Sequence, residues 1–128
     1  MKYLLFLAPL IPLVSCTQNT KVQNHIDATQ TEQMLKADTS IQLVDLRTPA
    51  ELQETGKIAG AKAINYNSPD FKSQIAQLDK DKPLIIYCAS GGRSGRALPQ
   101  LQQMGFKQVY AYSGGMNDWL AKGKAAER

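Results

Sequence analysis

The chain has 128 residues, 43% of them hydrophobic and 20% charged, with a formal net charge of +4, two cysteines and one histidine. That length suits one folded domain, and the chain is too apolar and too weakly charged to remain disordered. Two cysteines exclude a disulfide-stapled miniprotein and, even with His25 added, fall short of a structural zinc site, so neither metal nor cofactor is expected. A single histidine also argues against catalysis that needs an imidazole base. If the chain is an enzyme, its nucleophile must be activated by other means.

Residues 1–15 read as an export signal, with Lys2 ahead of an apolar run from Leu4 to Val14. Eleven helical residues would span roughly 16 Å, short of the ~30 Å of a bilayer core, and Pro9 and Pro12 interrupt them. The ending Leu13-Val14-Ser15-Cys16 resembles a bacterial lipobox, which implies cleavage before Cys16, lipidation of Cys16 and residence in the cell envelope on the outer side of a membrane. Residues 16–24 are polar and without an apolar period, as in a tether. The domain is then expected at 25–124. Losing residues 1–15 removes only Lys2 and lowers the charge from +4 to +3, and with no basic run interleaved with aromatics no nucleic-acid partner is expected.

Within the domain, Thr29-Gln30-Thr31-Glu32 has capping-box form and predicts a helix over 29–37. Ile41 to Asp45 predicts a strand. Thr48-Pro49-Ala50-Glu51-Leu52 predicts a second helix with Pro49 in its first turn. Ala61 to Asn65 predicts another strand, and apolar residues at Phe71, Ile75 and Leu78 predict a helix. Leu84-Ile85-Ile86-Tyr87 is apolar without alternation, as in a strand of a parallel sheet buried on both faces. Ser94 to Met104 predicts a helix stopped by Gly105, with Pro99 about a turn in. A strand at Gln108 to Tyr112 and a helix at Met116 to Lys122 complete the chain. This alternation predicts an α/β domain, a mainly parallel central sheet with helices on both faces.

The segment Cys88-Ala89-Ser90-Gly91-Gly92-Arg93-Ser94 joins the strongest strand to the following helix, at the carboxyl end of the sheet where α/β domains bind ligands. Gly91 and Gly92 let successive amides converge on one point, and Arg93 and the helix N-terminus add positive potential. Such surroundings lower a thiol pKa, so Cys88 is a candidate nucleophile that needs no histidine. The amides of Ala89 to Arg93 are candidates to bind an anionic substrate, and the Arg93 fork matches an oxyanion. Loop bracing is the alternative for Arg93, and Arg96 lies one turn on. Asp45, Arg47 and Glu51 read as structural braces, with Arg47 and Glu51 an expected i,i+4 pair.

Three segments of the chain resemble the rhodanese family of sulfurtransferases. Leu43-Val44-Asp45-Leu46-Arg47, with Glu51, Gly56-Lys57-Ile58-Ala59-Gly60-Ala61 and Asn65, is similar to its first signature. Tyr87 to Ser94 is similar to its active-site loop, and Gly114-Gly115-Met116-Asn117-Asp118-Trp119 to its C-terminal signature. Lys57 and Ala59 depart from the family's usual His and Pro. The resemblance implies the three-layer rhodanese fold and sulfur transfer through a Cys88 persulfide. It implies as partners a small anionic donor such as thiosulfate and a thiol, cyanide or protein-cysteine acceptor. A persulfide carrier without turnover is the alternative. A phosphatase or arsenate reductase is disfavoured, because four residues separate Cys88 from Arg93 and phosphatases with similar loops have one more.

Overall fold

The computed structural model describes residues 8–13, 15 and 24–128, so Cys16 and most of the expected signal and tether lie outside the described residues. Ten elements follow one another: β1 (His25–Ile26), α1 (Ala28–Ala37), β2 (Gln42–Asp45), α2 (Pro49–Thr55), β3 (Lys62–Ala63), α3 (Phe71–Ile75), β4 (Leu84–Tyr87), α4 (Gly92–Gln103), β5 (Val109–Tyr112) and α5 (Gly115–Ala121). The strands form one sheet in the order β1-β5-β4-β2-β3, with every pairing parallel. This is the α/β architecture expected from the alternation of elements.

Side chains alternate across the sheet, as a strand's twofold period requires. Leu84, Ile86 and then Cys88 face one core together with Val44, Leu46, Phe71, Ile75, Ala97 and Leu101. Ile85 and Tyr87 face the other, with Ile26, Leu43, Tyr112, Met116 and Trp119. Residues of α3 and α4 thus cover one face, and residues of α1 and α5 contribute to the other. All four residues of β4 are 0% exposed, the double-sided burial that its unbroken apolar run predicts.

Several boundaries differ from those read in the sequence. The capping box of α1 lies two residues earlier than expected. Asp27 Oδ1 accepts from the Gln30 amide at 2.8 Å and Gln30 Oε1 accepts from the Asp27 amide at 2.9 Å, which lets Ala28 start the helix and bury itself. α3 ends at Ile75, but tighter turns carry the chain on and Leu78 still packs on the core. β3 is only Lys62–Ala63, and α4 runs through Pro99 without a break. Residues 125–128, past the expected domain end, also pack on it: the Trp119 indole donates to Ala125 O at 2.9 Å, and Glu127 makes an antiparallel bridge with Lys57.

The topology locates a cleft. From β2 the chain crosses to β3 on one side, and from β4 to β5 on the other. Loops after the adjacent strands β2 and β4 therefore diverge, leaving a crevice at their carboxyl ends.

Candidate active site

Cys88 directly follows β4 and is 1% exposed. α4 begins at Gly92, two residues earlier than the pattern predicts, so Gly92 and Arg93 belong to its first turn and the loop narrows to residues 88–91. Gly91 caps the helix at φ 97°, a left-handed conformation that glycine adopts without strain. A Cβ there would lie 2.4 Å from Ser113 O, so the close approach of β5's end requires glycine as well. In this conformation the Gly91 amide donates to Cys88 Sγ at 3.2 Å, and the thiol lies 3.6 Å from Ser94 Oγ. Burial pushes the Cys88 thiol up. The amide and hydroxyl of Ser94 and the amides of Gly91 and Ser90 outweigh it and leave the thiol below its ordinary value. Ser94 is itself 0% exposed, and its hydroxyl donates to Gly91 O at 3.3 Å when the thiol is protonated.

The N-terminus of α5 supports the loop from beneath. Met116 N donates to Cys88 O at 2.8 Å and Asn117 N to Ala89 O at 3.0 Å, so the loop's carbonyls satisfy donors that a helix start leaves unpaired. Gly115 makes this docking possible: at φ 65° its absent Cβ would sit 2.5 Å from Cys88 O and 2.6 Å from Ala89 O. The Gly-Gly pair was visible in the sequence, but its contact with the cysteine loop is tertiary. Trp119 packs the helix into the core against Tyr112, with ring centroids 6.0 Å apart.

The expected Arg47–Glu51 pair does not form, because α2 begins at Pro49 and Arg47 lies outside it. Arg47 turns back to Asp45 instead, with Nη2 donating to Oδ2 at 2.9 Å and Nε to Oδ1 at 3.1 Å. It also donates to Thr55 Oγ1 and Gly56 O, at 2.8 and 2.6 Å. This buried pair ties the end of β2 to the end of α2. Glu51 crosses the crevice: it accepts from Arg93 Nη1 at 2.7 Å and Nη2 at 2.9 Å while closing a capping box with Thr48. Arg93 lowers the Glu51 carboxyl to about 2. The Arg93 cation is favoured first by Glu51 and, to a smaller extent, by the Cys88 thiolate. The Arg93 fork is thus engaged by a carboxylate, with the reactive sulfur within its field.

Other singled-out residues lie apart from the sulfur. His25 is exposed on edge strand β1 and pairs with Ser113 Oγ at 2.9 Å. Lys57, at a departure from the family pattern, donates from Nζ to Ala61 O and so closes its own loop. Arg96 is exposed near the loop, with its guanidinium over the Tyr66 ring, a contact that sequence spacing did not reveal.

Similarity to known proteins agrees with this geometry. The chain is 34% identical over 100 residues to a protein of Allochromatium vinosum named sulfurtransferase, covering 78% of this chain and 91% of the relative. It is 36% identical over 95 residues to a thiosulfate sulfurtransferase of Shewanella oneidensis, covering 74% and 90%. The solution structure of a polysulfide-sulfur transferase homodimer from Wolinella succinogenes superposes with a TM-score of 0.69 at 28% identity, covering 80% of this chain and 77% of that one. The rhodanese-like domain family matches residues 27–122, from the cap of α1 to the end of α5, and the chain belongs to that family.

Proposed function

We propose that the protein is a sulfurtransferase that moves sulfane sulfur from a small anionic donor such as thiosulfate to a thiophilic acceptor through a persulfide on Cys88. The observation that carries this reading is the polar setting of Sγ: the Gly91 amide donates to it at 3.2 Å and the buried Ser94 hydroxyl, which accepts from the thiol at 3.6 Å, is placed to donate to a thiolate, so the anion is favoured without a histidine. The thiolate attacks the outer sulfur of thiosulfate, a sulfur–sulfur bond forms to Cys88, and sulfite departs with the electrons of the broken bond. The terminal persulfide sulfur carries the negative charge, and the amides that stabilised the thiolate serve it next. Cyanide, a thiol or a protein cysteine then takes that sulfur and regenerates the Cys88 thiolate. Relatives named as sulfurtransferases support the same chemistry.

Mass spectrometry tests it directly. Thiosulfate should add about 32 Da, one sulfur atom, to the wild-type protein. Cyanide should remove that mass and yield thiocyanate, and Cys88→Ser should do neither. A wild-type protein that gains no sulfur and forms no thiocyanate would refute the reading. We also propose that Cys16 carries a lipid that holds the domain at the outer side of a bacterial membrane through the 16–24 tether. The intact mass of protein purified from membranes then exceeds that of the processed polypeptide by an acyl-bearing group, and Cys16→Ala releases the protein from the membrane.

A further inference from the structure

Three arginines surround the crevice, and their partners distinguish them. Arg47 is buried and its guanidinium is engaged by Asp45, Thr55 and Gly56. Arg93 presents its fork to both oxygens of Glu51. Each pair is close to electrically neutral, so neither offers net positive charge to an approaching anion. Arg96 differs: it is exposed, and among the described residues no carboxylate lies in ion-pair range of it.

Two contacts locate the Arg96 guanidinium. It folds back along the first turn of α4, with Nη1 3.8 Å from the position a Cβ would take on exposed Gly92, and its carbon lies 5.9 Å from the Tyr66 ring centroid. Tyr66 makes a firm platform, because its ring meets buried Phe71 edge-on at 5.0 Å and its amide donates to Leu46 O at 3.0 Å. The cation is therefore seated at the rim of the cysteine loop by a stacking contact, which leaves its N–H edges free for an oxyanion. Beyond Tyr66 lies an open groove of about 260 Å³ lined by Ser68, Lys72 and Gln100 among others, which adds a further exposed ammonium on that side.

We propose that Arg96, seated on Tyr66, docks the anionic end of the sulfur donor and is the residue that sets affinity for it. The proposal rests on the sulfur-transfer reading for the donor's chemistry. A thiolate attacking a dianion works against like-charge repulsion, and an uncompensated cation at the rim offsets it. Arg93 keeps the loop and the thiolate in place, while Arg96 receives the donor.

The test separates affinity for the donor from the reactivity of the sulfur. Arg96→Gln should raise the KM for thiosulfate about tenfold, with transfer from preloaded persulfide to the uncharged thiol dithiothreitol unchanged. Arg96→Lys should recover part of the loss, and Tyr66→Leu, which removes the platform, should raise KM in the same direction. Lys107→Gln removes the same charge at the opposite end of the sheet and should leave KM unchanged. A second readout needs no sulfur donor: Arg96→Gln should slow alkylation of Cys88 by anionic iodoacetate several-fold relative to neutral iodoacetamide. Unchanged KM and an unchanged alkylation ratio in Arg96→Gln would overturn the proposal. Wild-type protein that takes no sulfur from thiosulfate would instead sink the sulfur-transfer reading, and the alkylation ratio would still decide whether Arg96 docks anions.

Discussion

At the scale of single residues, Cys88 depends on a competition between burial, which disfavours a thiolate, and four donors that favour it. Ser94 supplies two of them, its amide and its hydroxyl. Replacing Ser94 by Ala removes only the hydroxyl, so the thiol pKa should rise and alkylation by iodoacetamide at neutral pH should slow by about tenfold, the scale of one hydrogen bond to a charged group. The pH profile of alkylation reads this directly. Asp45 and Arg47 act through burial instead, at 0% and 3% exposure. Arg47→Ala would strand a buried carboxylate without its cation and should lower unfolding free energy by about 3–5 kcal/mol in urea titrations. The sequence marks Cys88, Asp45 and Arg47 by residue type and position. It does not show that Arg47 looks back two residues rather than forward four, because that choice depends on where α2 starts and on Gly56 O waiting beneath the guanidinium.

At the scale of elements, the site is a joint between the end of β4, the first turn of α4 and the first turn of α5. Gly91 and Gly115 are the two hinges of that joint, each at positive φ and each with no room for a Cβ. Gly115→Ala should therefore combine left-handed strain of about 1–3 kcal/mol with displacement of the Cys88 carbonyl. The expected outcome is a lower denaturation midpoint together with altered Cys88 alkylation, whereas Ala at Gly60, also at positive φ but with open space around it, should cost stability alone. The elements themselves were largely legible. Apolar runs and turn residues placed β2, β4, β5 and the helices, with errors at their ends. Those errors arise where a cap or short pairing is settled by neighbours: Asp27 and Gln30 win the cap of α1 because Ala28 gains burial by joining the helix, and β3 shrinks to two residues because it pairs on one side only.

At the scale of the molecule, Glu51 and Arg93 link the crossover that follows β2 to the one that follows β4 and so close the base of the crevice. The Glu51 carboxyl falls from 4.5 to about 2 in the folded state. In the window between those values the unfolded chain binds more protons at this site than the folded one, so the pair's contribution is complete above pH 4.5 and is lost as pH falls through about 2. Partial exposure of the pair keeps that contribution modest. Denaturation midpoints measured from pH 6 to pH 2 should decline less steeply in Glu51→Gln than in wild type. By itself the sequence determined the class of fold, the order of the elements from α1 onward but not the two-residue strand β1, and the loop that bears the reactive thiol, because periodicity, glycine placement and a cysteine after a buried strand are local properties of the chain. Only the tertiary structure decided which arginine holds which carboxylate, why Gly115 is needed and which of the three crevice arginines has no carboxylate partner among the described residues. The Glu51–Arg93 pair, the seating of Gly115 against Cys88 and the stacking of Arg96 on Tyr66 bring together parts of the chain that are distant in sequence at the carboxyl end of the sheet, and no local pattern encodes such meetings.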